Sequence, residues 1–148
     1  PLIDPLVCRG MIKQAVAGQY DFSITQGWPH GLDSELISFP LLKESFTSAI
    51  TKADREHVTL WAKRAKGVQV LHYQPTIKIA PLEVYRWVVD YPSDYEFLQA
   101  VVGELDIRPN DFCSYAEVLS FLSARSELLE INKACIQEWS VAHSKINQ

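Results

Sequence analysis

The sequence predicts a mainly α, α+β domain of about six helices with one small antiparallel β-hairpin near residues 68–80. Three observations carry this. Apolar residues recur at helical spacing through most of the chain. The pairs Thr51/Asp54, Ser93/Glu96 and Ser114/Glu117 have the spacing of a capping box at a helix start. Only residues 68–79 join partial alternation, a Gln74-Pro75 turn and clean alternation in Thr76-Ile77-Lys78-Ile79.

From the N-terminus, Pro5–Ala17 reads as a helix closed by Gly18. Residues 21–25 suit a short strand, and Gly27-Trp28-Pro29-His30-Gly31 is a turn cluster carrying an aromatic. Residues 34–38 suit a helical turn broken before Pro40, and Leu41–Ile50 a short helix. Thr51–Lys66 reads as one helix ended by Gly67, with Val58, Trp61, Ala62 and Ala65 on its apolar face. After the hairpin, Pro81 opens a helix that Pro92 stops near Tyr91. Further helices follow over 93–105, from Ser114, and from about Ser126 to Lys145.

The chain has 148 residues, 47% hydrophobic and 22% charged, which is ordinary for a single globular domain over 1–148. Pro1 in place of Met leaves a processed chain or a piece of a longer protein equally open. No run of eighteen apolar residues is present, which excludes a transmembrane helix, and the expectation is no membrane role. Cys8, Cys113 and Cys135 are odd in number, far apart and without a C-x-x-C pair. They point to a reducing compartment, hence the cytoplasm, and away from a disulfide scaffold or a zinc site.

The net charge of −4 exerts no global pull on nucleic acid, but the charge is uneven. From Lys43 to Lys66 six Lys/Arg face three acids; from Glu83 to Asp106 a single Arg faces six acids. On the helix 51–66, Lys52, Arg55, Thr59, Lys63 and Lys66 form one stripe containing four cations. A helix with such a stripe, followed at once by a hairpin, has the order found at the end of a winged helix. In that reading the four cations meet phosphates and Thr59 approaches a base edge. Against it stand the acidic whole and a hairpin turn without Lys or Arg.

Catalysis finds little support. Asp111, Cys113 and His143 supply the residue types for a thiol nucleophile and base, but nothing in their spacing brings them together. His57, His72, Asp54 and Glu56 do not converge on a metal, and glycine-rich phosphate loops and G-x-S-x-G or H-E-x-x-H motifs are absent. No cofactor and no metal are expected. The residues therefore favour a non-enzymatic interaction or regulatory module, acting on a protein partner or as its own dimer. Trp28, His30 and Trp139 are its candidate contacts. The alternative is the winged-helix-like nucleic-acid domain using Lys52, Arg55, Thr59, Lys63 and Lys66.

Overall fold

The structure is a computed structural model that describes residues 2–75, 84–108 and 111–136. Its contacts cluster into two compact units. One unit comprises Leu6–Gln26 and Asp33–Thr76, the other Pro1–Pro5, Gly27–Leu32 and Ile77–Gln148. The mainly α, α+β class holds: six α-helices, a 3-10 helix and three strands are present among the described residues.

The first unit opens with α1 (Pro5–Ala17), whose buried face is Val7, Met11 and Ala15 at i, i+4, i+8. Gly18 donates to the Gln14 carbonyl and Gln19 takes a positive φ of 53°, which ends the helix. Strand β1 (Phe22–Thr25) lies at the centre of a mixed sheet of order β2-β1-β3. It pairs antiparallel with β2 (Glu35–Ile37) and parallel with β3 (Val70–Tyr73), with Phe22 opposite both Ile37 and Val70. Residues 35–37 are therefore strand, not the helical turn expected for 34–38. Helix α2 (Phe39–Ser48) is capped by the Ser38 hydroxyl and carries Pro40 in its first turn, where a missing N–H costs nothing. Phe22, Leu41 and Ala62 form this unit's core.

One expectation fails in the central stretch. The helix expected over 51–66 is two short helices, α3 (Lys52–Glu56) and α4 (Leu60–Arg64). The Thr51 cap is present, its hydroxyl accepting from the Asp54 N–H at 3.1 Å. His57, however, leaves helical geometry at φ −105°, ψ 98°. The cause is tertiary. Arg64 Nη2 donates to Asp54 Oδ2 at 2.6 Å, and a continuous helix would hold residues ten apart about 15 Å from one another. Adjacent β-branched Val58 and Thr59 ease the break. The hairpin's first strand is present as Val70–Tyr73, and its described partner is β1 in parallel register. The expected partner Thr76–Ile79 lies outside the described residues.

The second unit is built on α5 (Pro92–Glu104) and α6 (Tyr115–Ala124), with a 3-10 helix over Ser126–Glu130. Phe97, Val101, Val118 and Leu122 bury fully between them, with Trp87 and Leu32. The Ser114/Glu117 capping box is present: Ser114 Oγ accepts from the Glu117 N–H, and the Glu117 carboxylate from the Ser114 N–H at 2.8 Å. Pro92 opens α5 instead of merely stopping an earlier helix. Asp94, not the expected Ser93/Glu96 pair, binds the backbone at its start. Residues 85–89, expected as the end of that earlier helix, are not helical; Arg86 bridges His30 in parallel. The helix expected over 126–145 begins as 3-10 and bends at 131–132, and residues 137–148 lie outside the described part. No helix among the described residues is long and apolar enough to cross a membrane.

Candidate functional site

The site grows from Arg86, the lone cation in the acidic stretch 83–106. Its side chain is 1% exposed. A buried guanidinium must be paired and hydrogen-bonded. Asp94, in the first turn of α5 and fully buried, accepts from Arg86 Nε and Nη2 at 3.0 Å each. Its Oδ2 also accepts from the Asp90 and Tyr91 backbone N–H groups, both at 3.1 Å. Asn132 Nδ2 donates to Asp94 Oδ1 and to the Arg86 carbonyl, each at 3.0 Å.

Asp90 completes the group. It accepts from Arg86 Nη2 at 2.6 Å, yet its side chain is 60% exposed. The result is a solvent-facing carboxylate fixed to a buried ionic base at the entrance of α5. Tyr91 lies beside it, its ring 5.6 Å from the guanidinium carbon. Burial works to raise the Asp94 carboxyl, but Arg86, the backbone donors and Asn132 outweigh it and hold it below the usual range. Burial likewise opposes the charge on Arg86, and Asp94 and Asp90 outweigh it. Among the described residues the Nη1 atom of Arg86 is buried without a hydrogen bond, as are Trp87 Nε1 and Asn132 Oδ1.

A turn is clamped onto this base. The Trp87 N–H donates to the His30 carbonyl at 2.7 Å. Gly31 has φ +99°, and a Cβ there would stand 2.5 Å from the Trp87 carbonyl carbon. Only glycine fits so close to another backbone.

The residues expected from sequence are distributed otherwise. Trp28 is half-buried, edge-on to Tyr115 with centroids 4.8 Å apart. His30 is half-buried beside Arg86 in the clamped turn. Trp139 and His143 lie outside the described residues. The cation stripe does not exist as one face, because the helix breaks between Arg55 and Lys63. Lys52 and Lys66 are exposed, Thr59 lies in the break, Arg55 sits 5.3 Å over the Phe46 ring, and Lys63 pairs with Glu35 at 2.5 Å. Burial, with Glu117 and Asp4 nearby, raises the Cys113 thiol, which suppresses the thiolate a nucleophile needs. Among the described residues no group of three His, Cys, Asp or Glu could hold a metal ion.

No protein-family model and no curated protein matches the sequence. A solved structure does match the fold: a cytidylyltransferase from Leptospira borgpetersenii serovar Hardjo-bovis (strain JB197), with a TM-score of 0.75 and 18% identity. The similarity covers 87% of this chain and 54% of that one, so the chain spans about half its length. At this identity the likeness concerns the fold. It overturns the reading as a non-enzymatic interaction or regulatory module and the winged-helix, DNA-binding alternative, since the architecture is one seen in an enzyme.

Proposed function

We propose that the chain is part of a nucleotidyl-transfer enzyme of the cytidylyltransferase kind. The likeness at TM-score 0.75 over 87% of the chain supports the reading. In such a reaction an acceptor oxygen attacks the α-phosphorus of CTP. The α–β phosphoanhydride bond breaks and pyrophosphate leaves with the bond's electron pair. A divalent cation, when bound, offsets charge on the phosphates. Magnesium is commonly held by one or two carboxylates and the phosphates themselves. Asp90 suits such a ligand, being an exposed carboxylate whose Oδ2 is fixed by Arg86. Asp94 holds that guanidinium, Asn132 holds Asp94 and the Arg86 carbonyl, and Gly31 lets the 27–32 turn close on the Trp87 backbone. The cytoplasm suits the three free cysteines as the compartment.

The test is binding and turnover with purified protein and magnesium. CTP should raise the melting temperature more than ATP, GTP or UTP at equal concentration. Pyrophosphate should appear when a hydroxyl- or phosphate-bearing acceptor is supplied. Asp90→Asn should lower that rate by about 100-fold, the scale of losing one charge-stabilising group, with an unchanged melting curve. Absence of any CTP preference would overturn the reading.

A further inference from the structure

Helix α2 has a buried side and an apolar outer side. Leu41, Ser45 and Ala49, at i, i+4, i+8, are buried. The outer side repeats at Phe39, Leu42 and Phe46, i, i+3, i+7, and there Phe39 is 76% and Phe46 71% exposed. Just beyond the helix Ile50 is 90% exposed, and Val58 in the α3–α4 break is 65% exposed. Phe46 and Val58 line one cleft of about 230 Å³ with Leu42, Ala49 and Arg55. A surface helix ordinarily keeps its outer face polar, and single apolar residues there need no explanation. Two phenylalanines, an isoleucine and a valine this exposed amount to roughly 500 Å² of apolar surface, at the upper end for a monomer.

We propose that a second copy of this chain covers the outer face of α2, in a twofold dimer centred on Phe46. Two arguments select this occupant. The first is area: two such faces together remove about 1,000 Å², where specific interfaces begin. The second is charge. In the surrounding segment 43–58 Lys43, Lys52 and Arg55 are exposed, as are Glu44 and Glu56, while Asp54 is buried on Arg64. A rim that carries both signs can complement itself across a twofold axis, as an isologous interface requires. Arg55 over Phe46 adds the aromatic–arginine pairing common at interface centres. This is an assembly of the proposed enzyme, distinct from a role for the chain's last helix, and it does not depend on the cytidylyl-transfer reading.

Sedimentation equilibrium of the full chain tests it, with circular dichroism as the fold control. A dimer should form at micromolar concentration. Phe46→Glu should shift the dissociation constant upward by at least 100-fold while the spectrum stays native. Ile50→Glu, at the most exposed position, is the second variant should Phe46→Glu fail to fold. A wild-type chain that stays monomeric at 100-fold higher concentration would overturn the proposal. So would a dimer that survives both substitutions. A monomer that co-sediments with phosphatidylcholine vesicles would also overturn it and assign the face to lipid.

Discussion

Arg86 and Asp94 are each almost wholly withdrawn from water, with side chains 1% and 0% exposed. Their attraction offsets a large desolvation cost only while both are present. Asp94→Ala should therefore cost about 3–5 kcal/mol in urea unfolding, because a buried guanidinium loses its partner. A loss below about 1 kcal/mol would mean that water reaches Arg86. Asp54 gives a second residue-scale expectation. Its carboxyl is lowered from 3.8 to about 2, chiefly by the hydrogen bond from Arg64. A carboxyl lowered in the folded state adds stability above its unfolded value and loses it on acidification. That contribution should be complete above about pH 4 and vanish as pH falls through about 2. Asp54→Asn should flatten the fall of unfolding free energy between those values; an unchanged slope would refute the pairing.

At the scale of elements, caps and turns carry the argument. Ser114→Ala removes the N-cap of α6 and should cost about 1 kcal/mol, read as a lower melting temperature. The 27–32 turn is more brittle. Gly31→Ala meets the Trp87 backbone and a left-handed φ together, and should cost more than 2 kcal/mol and displace the turn. Gly67→Ala is the comparison: φ is also positive, at 80°, but nothing lies within 4 Å, so only the milder conformational strain applies. Equal losses at the two positions would show that strain, not contact, governs Gly31. Elements whose signals are local were legible in the sequence. The bounds of α1 and the Ser114/Glu117 cap follow from side chains and backbone within a turn of each other. The break at His57–Thr59 was not, since it depends on Asp54 meeting Arg64 ten residues on. Nor was the pairing of β3, because alternation states that a strand exists and not which strand it joins. The site was half visible: one Arg among six acids must be paired, but which acid is buried and which exposed is a property of the fold.

Over the whole molecule the two units differ in what holds them. The unit containing α5 and α6 buries Trp87, Phe97, Val101, Val118 and Leu122, while the other has Phe22, Leu41 and Ala62 at its centre. Local opening follows the apolar contacts that must be broken. Amide exchange should therefore be slowest in α5 and α6 and fast in α3 and α4, as mass spectrometry of deuterated fragments can read. The reverse order would mean that the small core is the better packed. The likeness to an enzyme fold could not be read from motifs, since the fold is shared at 18% identity.

The buried Arg86 has a consequence for how this chain can change over generations. Asp94 holds the Arg86 guanidinium and Asn132 holds Asp94, so a drift that replaces either alone passes through a destabilised intermediate. Arg86→Met with Asp94→Leu, an apolar pair in their place, should be far better tolerated than either alone, and would release Asp90 from its anchor. Lineages that keep the chemistry would then inherit the four residues as a block. Lineages that lose it would be free to fill the same space with hydrocarbon.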